Sequence, residues 1–463
     1  MNGLFSRKIV LTAGVLPLAA AAVARSERPN IVVIVADDLL SSEISCYGGR
    51  NLETTHIDRI CREGVRFSNL YASMPMSVPI RASMYTGLYP AHHGSWLNHK
   101  DTFLGTRTVC DYMEEAGYRV ARTGKNHPVN PDVYRFEEIP GFTVNCVSRR
   151  APYDTAGIRE FVSRDDPRPF LLFVCSIHPH APWTWGDPGE FDPAKLVMPG
   201  NCIDDPRMRE IYTHYLAEVR ALDDEVGAVL EVLETTGRSD DTLVLFLGEQ
   251  GPQLPGGKWT CWYPGVHSAM VARYPGRIAA GSRSDAIVQY EDLLPTFLDL
   301  AGAEPRGELD GRSFKKALFG ERKRIRRYAY AMQNNCTAGD AYPVRCIRDE
   351  RYALIWNLLS DRPFYKTFMD LDKPANRKGW WPVWVEAAQR DTLARRLVDR
   401  YLDRPEYEFY DLQQDPWELE NLIGDPKHRA RIGRMKRELE RWMAQQGDSG
   451  IGMDVPFTNR PRK

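Results

Sequence analysis

Asn30-Ile31-Val32-Val33-Ile34-Val35-Ala36-Asp37-Asp38 decides the architecture of this chain. An unbroken β-branched run suits a strand buried on both faces, which belongs in a parallel sheet covered by helices. The run stops abruptly at two carboxylates. Two later runs have the same form: residues 169–177 close on His178-Pro179-His180, and residues 242–247 lead through Gly248 to Glu249-Gln250. In open α/β folds, ligands bind just past the carboxyl ends of strands. Three apolar runs that each end in polar residues therefore predict one shared site.

Between these runs the periodicity is helical. Residues 207–236 carry Ile211, Tyr215, Leu222, Val226, Val229 and Leu233 on one face, with Gly237 at the stop position. Residues 55–67, with Ile57, Ile60, Cys61 and Val65, predict a shorter helix. Alternation over some 300 residues predicts an α/β sandwich around a mostly parallel sheet. Past residue 330 the texture changes. Residues 328–332, 346–356 and 408–412 predict strands of a smaller sheet, and Ile432, Met435, Leu439, Trp442 and Met443 mark a closing helix. The basic residues of that helix read as its solvated face. The expected division is a catalytic domain over 28–330 and a smaller C-terminal α+β unit over 331–463.

Composition narrows the function. With 463 residues and a formal net charge of −1, the chain can bury a large core but has no global field to draw it to nucleic acid or a membrane. An anionic substrate must be met by local cations. Arg7 and Lys8 precede an apolar stretch that closes on Ala22-Val23-Ala24, the form of an export signal over residues 1–24. The expected location is periplasmic or secreted, with no membrane association after cleavage. The nine cysteines leave at least one thiol unpaired, and none forms a C-x-x-C pair of the structural-zinc kind. Cys175 sits in an apolar run and is expected to pack.

The chemistry-bearing residues are few. Ser77-Val78-Pro79-Ile80-Arg81, followed by Thr86-Gly87, puts a hydroxyl two residues before a proline and four before an arginine at a predicted helix start. Asp37, Asp38, Glu249 and Gln250 offer oxygen donors without histidine or cysteine, which favours calcium or magnesium over zinc. Taken alone, Asp37-Asp38 is more often a capping or turn pair.

Together these segments resemble the sulfatase family. Asp37-Asp38, Cys46-Tyr47-Gly48, His56-Ile57-Asp58, Gly64-Val65-Arg66-Phe67, the Ser77 motif and Gly87-Leu88-Tyr89-Pro90 look like its amino-terminal domain. Gly124-Lys125-Asn126-His127, His178-Pro179-His180, Gly257-Lys258-Trp259, Tyr274-Pro275-Gly276 and Asp292-Leu293-Leu294-Pro295-Thr296 continue the resemblance in order. It reaches Tyr410-Asp411-Leu412, and the segment through Lys258 is similar to the sulfamidase (heparan N-sulfatase) branch.

The resemblance implies an alkaline-phosphatase-like fold, a sulfated carbohydrate substrate carrying sulfate esters or N-sulfate, and a nucleophile made after translation. Ser77 would be oxidised to formylglycine by a maturase of the serine-acting type. Asp37, Asp38, Ser77, Glu249 and Gln250 would surround calcium, with magnesium as the alternative. Glu249 would act as base, and Arg81, Lys125 and Lys258 would offset sulfate charge. His180 would protonate the leaving atom and His127 would accept the proton that expels sulfate; the two histidines could exchange roles.

Three departures stand out: Ile80 in place of a small residue, Glu249-Gln250 where relatives carry Asp-Asn/His, and His267 where they commonly carry arginine. His267 is read as a mark of substrate specificity. His178 is as well explained as a supporting residue as a catalytic one. His92, His93, Asn98 and His99 are candidates for the glycan pocket, although a surface histidine is commoner. Trp183, Trp185, Trp380, Trp381 and Trp384 could stack a sugar, although core aromatics are commoner. Two rivals remain: a phosphate mono- or diester hydrolase using unmodified Ser77, and a sulfatase-like protein that binds sulfated glycan without turnover.

Overall fold

The computed structural model describes residues 28–147 and 151–458, so the expected export segment 1–24 lies outside the described residues. Its main sheet contains β1 (Asn30–Val35), β2 (Val65–Tyr71), β3 (Arg119–Gly124), β4 (Glu137–Ile139), β5 (Phe170–Cys175), β6 (Thr242–Leu247), β7 (His267–Arg273) and β8 (Ser282–Gln289). Their spatial order is β4-β3-β5-β1-β6-β7-β2-β8. Only β7 runs against its neighbours.

β1 is central and pairs in parallel on both sides, with Ile31 opposite Leu171 of β5 and Leu243 of β6. Its unbroken apolar character has a direct cause, because successive side chains enter different cores. Val32 and Ile34 pack with Tyr215, Leu222 and Val226 of the helix Pro206–Thr235 on one face. Ile31, Val33 and Val35 pack on the other with Ile80 and Tyr85 of the helix Ser77–Thr86 and with Phe297. Each such aliphatic side chain contributes about 1.5–3 kcal/mol on full burial, and a polar residue anywhere from Ile31 to Val35 would spoil one core or the other.

A second sheet, antiparallel in the order β12-β11-β10-β9, comprises β9 (Ala329–Gln333), β10 (Val344–Arg348), β11 (Tyr352–Asn357) and β12 (Tyr407–Asp411). The helix Arg429–Gln446 packs on it through Ile432, Met435, Leu439 and Trp442.

Two sequence expectations need correction. The helix expected over 55–67 stops at Arg62, and Val65–Phe67 belong to β2. Gly64 makes this switch because a Cβ there would lie 1.9 Å from the Ala272 carbonyl oxygen. The single strand expected over 346–356 is a hairpin, β10–β11. Asp349 turns the chain, its Oδ1 accepting the N–H groups of Arg351 and Tyr352 at 2.9 and 2.8 Å. All nine cysteines are free thiols, and Cys175 is buried as expected. Among the described residues no helix is long and apolar enough to cross a membrane.

Candidate active site

Four adjacent parallel strands deliver the site. β1 ends before Asp37-Asp38, β5 before His178 and His180, β6 before Glu249-Gln250, and β3 before Lys125 and His127. Asp38 and Glu249 adopt left-handed backbone, φ 69° and 60°. Non-glycine residues in that region are uncommon and cluster where a site demands a particular direction.

Ser77 begins the helix that faces these strand ends, and its hydroxyl lies among them. The Oγ donates to Asp37 Oδ1 at 3.0 Å or Glu249 Oε2 at 3.2 Å, and it accepts from Lys125 Nζ at 3.0 Å and Gln250 Nε2 at 3.2 Å. Asp37, Asp38 and Glu249 are fully buried, with one carboxylate oxygen from each within 4.8 Å of the others. Such a set is tolerable only with compensating cations. Lys125 pairs with Asp37, Arg81 with Glu249, and Lys258 with Asp38 at 2.8 Å.

Burial raises both carboxyls, but Lys125, His180 and the hydrogen bond from Glu249 overcome it at Asp37 and hold that group well below the carboxylate range. At Glu249 burial wins over Arg81 and pushes the group up. The pair thus divides into an ionised Asp37 and a more basic Glu249.

The donor chemistry fits a hard cation. Gln250 Oε1 is buried without a hydrogen-bond partner among the described residues, while its Nε2 lies against Asp38, Ser77 and Glu249. Turning this amide about its last torsion would present a fourth oxygen to the three carboxylates, and the two orientations have nearly the same shape.

His180 Nε2 lies 3.0 Å from Lys258 Nζ and 3.5 Å from Asp38 Oδ2, while Nδ1 contacts the Ala181 carbonyl. Nδ1 therefore carries the ring proton and Nε2 accepts from the ammonium group. Burial, then Lys258, lowers the His180 pKa to about 4. Burial and Lys125 lower that of His127 to about 3, and its Nδ1 has no hydrogen-bond partner among the described residues.

Other candidates lie elsewhere. His178 turns from the cluster to Glu218, 2.8 Å from Nδ1. His267, read as a mark of specificity, is instead a buried strut: it bonds Ser41 Oγ at 2.8 Å and the Ser68 carbonyl at 2.9 Å and stacks on Tyr263. His93 is buried against Ser83, and His92 pairs with Asp310. His99 is the member of that group beside the site, with ring centroids 5.7 Å apart from His127. Ile80 faces the core, so its bulk is packing. Trp183, Trp380 and Trp381 line a cavity of about 780 Å³ with Ala181, Pro182 and Phe368, whereas Trp384 is buried around Tyr401.

One residue that sequence reasoning missed is Cys146, whose sulfur lies within 4.8 Å of an Asp37 oxygen and a His180 nitrogen. It lies seven residues past the end of β4 and belongs to no recognised motif, so nothing local marked it.

A hydroxyl at a helix start, held by carboxylates and ammonium groups on the carboxyl edge of a doubly covered sheet, is an arrangement suited to nucleophilic displacement, and the fold that carries it is alkaline-phosphatase-like. The sulfatase profile matches residues 29–303, and that of the N-sulphoglucosamine sulphohydrolase C-terminal region matches residues 258–377. The chain belongs to the sulfatase family, hydrolases of sulfuric esters.

An ulvan-active sulfatase of Formosa agariphila is 27% identical, the match covering 94% of this chain and 85% of that one. Human N-sulphoglucosamine sulphohydrolase is 26% identical over 92% of each chain. A solved structure of a protein with its substrate D-glucosamine-2-N,6-O-disulfate superposes with a TM-score of 0.70 at 22% identity, covering 91% of this chain and 99% of that one, which shows a common fold.

Proposed function

We propose that the protein is an exported carbohydrate sulfatase that removes O-sulfate or N-sulfate, acting through formylglycine made from Ser77. The observation that carries this reading is the Ser77 hydroxyl within 3.2 Å of two carboxylates, one ammonium and one amide from three strand ends. The carbohydrate substrate is inferred from the ulvan-active and N-sulphoglucosamine-cleaving relatives. Export is inferred from the sequence of residues 1–24, and a serine-acting maturase from the family motif at Ser77.

Asp37, Asp38, Glu249 and Gln250 would hold calcium, or magnesium, which when bound supplies Lewis-acid charge at the sulfate oxygens. Formylglycine, once formed and hydrated, supplies one hydroxyl to attack sulfur and a second from which the aldehyde re-forms. The chain's own groups manage the protons. Glu249 Oε2, 3.2 Å from Ser77 Oγ, would take a proton when ionised, the form that a bound cation would favour over the proton shared with Asp37. Neutral His127, beside Lys125, takes the second hydroxyl's proton as sulfate departs. His180 Nε2 takes up a proton when the anion arrives and gives it to the leaving oxygen or nitrogen. Lys125, Arg81 and Lys258 are fixed, buried cations against the charge that develops on sulfate.

The test is peptide mass spectrometry on the Ser77 fragment of protein co-produced with a serine-acting maturase, followed by assay of sulfate and phosphate monoesters. A fragment two hydrogens lighter, reactive to an aldehyde probe, with release of sulfate from sulfated sugars is the expected result. Unmodified Ser77 with phosphate release would replace this reading by the phosphate-ester one. Full modification with glycan binding and no turnover would replace it by the binding-protein one.

A further inference from the structure

Lys366 is a buried ammonium group outside the set described above. It is 1% exposed, and its Nζ has no hydrogen-bond partner among the described residues. It lies over the Trp259 ring, 4.8 Å from the centroid. Lys258 Nζ lies 5.7 Å from the same centroid. Trp259 is itself unusual: its backbone is left-handed at φ 69°, and its buried Nε1 also lacks a hydrogen-bond partner among the described residues. Its backbone N–H donates to the Pro75 carbonyl at 3.1 Å, which ties the indole to the segment leading into Ser77. Phe368 stacks on its ring.

No hydrogen-bond acceptor among the described residues meets the Lys366 ammonium, whose Nζ lies over the Trp259 and Phe364 rings, 4.8 and 5.9 Å from their centroids. Burial holds its pKa well below that of an ordinary lysine; Asp454 opposes the shift, while Arg404 and Lys258 add to it. Asp454 is already engaged, accepting the backbone N–H groups of Asn335 at 2.8 Å, Cys336 at 2.7 Å and Tyr342 at 2.7 Å. Two orphaned donors, one ammonium and one indole N–H, thus share a stacked pair beside Lys258. Buried polar groups are almost always satisfied, and an unpartnered buried donor is costly unless something else completes it.

We infer that Lys366 and Trp259 form a second anion-binding subsite of the catalytic cleft, which takes a carboxylate or a second sulfate on the substrate glycan; the inference rests on the sulfatase reading above. The two ammonium nitrogens lie 4.8 and 5.7 Å from one indole centroid, a spacing that two anionic substituents of one short glycan can span. A monosulfated sugar would fill only the Lys258 side. The subsite therefore selects for doubly anionic substrate.

The experiment measures binding separately from turnover. Ser77→Ala protein loaded with calcium is titrated calorimetrically with glucosamine 6-O-sulfate, glucosamine 2-N,6-O-disulfate, and a disaccharide joining glucuronate to glucosamine 6-O-sulfate. At least one two-anion probe is expected to bind ~10- to 100-fold tighter than the first, and which one wins distinguishes sulfate from carboxylate. Lys366→Met in the same background should abolish that preference and leave the one-anion probe within about threefold, with Lys366→Arg retaining part of it.

Equal binding of all three probes by Lys366 protein would overturn the inference whether or not the variants fold. Uniform weakening by Lys366→Met, or by Lys366→Gln if the first is unstable, would also overturn it. Turnover of the same sugars by matured protein is scored independently. Two-anion preference without hydrolysis would sink the sulfatase reading and leave the subsite standing.

Discussion

Lys258 is the residue at which the proposed chemistry is most exposed to test. Its Nζ sits 2.8 Å from Asp38 Oδ2 and 3.0 Å from His180 Nε2, in a site where Asp38 is fully buried. Replacing it by alanine removes one fixed cation proposed to face sulfate and the donor to His180 Nε2. Loss of one preorganised donor of this kind costs about 2.7–4 kcal/mol of transition-state stabilisation, or ~10²–10³ in kcat. A single charge-assisted hydrogen bond is worth about 1.5–3 kcal/mol, which overlaps only the lower end of that range. Lys258→Ala is therefore expected to lower kcat by ~10²–10³ with a smaller change in KM, and Lys258→Arg to fall between the two. The assay is steady-state release of inorganic sulfate from matured protein at saturating sugar sulfate. Metal content is measured alongside, because Asp38 belongs to the proposed calcium set. A variant that keeps kcat within about threefold, with metal content unchanged, would refute the assignment of Lys258.

Other outcomes follow from the same structure. Chelation with EDTA should abolish activity and lower the thermal midpoint, with recovery on adding calcium or magnesium, because three buried carboxylates lie within 4.8 Å of one another; unchanged activity and midpoint would count against the metal site. Arg345→Met should destabilise the fold by about 3–5 kcal/mol in urea titration, since it strands the buried Asp448 carboxylate that Arg345 holds at 2.8 Å; a loss below about 1 kcal/mol would contradict this. His267 is lowered from 6.5 to about 4 by burial, so the unfolded chain binds its proton first as pH falls. Its contribution is complete above pH 6.5 and is lost toward pH 4, about 3 kcal/mol in all. Stability of wild type should decline over that window, and His267→Gln should flatten the decline; equal slopes in denaturant titrations at stepped pH would argue against it.

Sequence alone determined the elements whose cause is local. β1, β5 and β6 were readable because a strand buried on both faces must be apolar at every position, and the polar residues just beyond them had to lie on one edge. The helix Pro206–Thr235 was readable from its periodic face, and Ser77 and Arg81 from their family motif. β3 was not readable, because Arg119 and Arg122 interrupt its apolar character. They are buried there only because Arg119 meets the Phe161 carbonyl and Arg122 pairs with Glu138. The β10–β11 hairpin depended on how Asp349 folds back on Arg351 and Tyr352. Only the tertiary structure turned His178 and His267 away from the cleft, brought Cys146 beside Asp37, and put Lys366 over an indole more than 100 residues distant in the chain. Those placements depend on packing between segments far apart in sequence, and local periodicity carries no information about which distant side chain will share a cavity or pair with a charge.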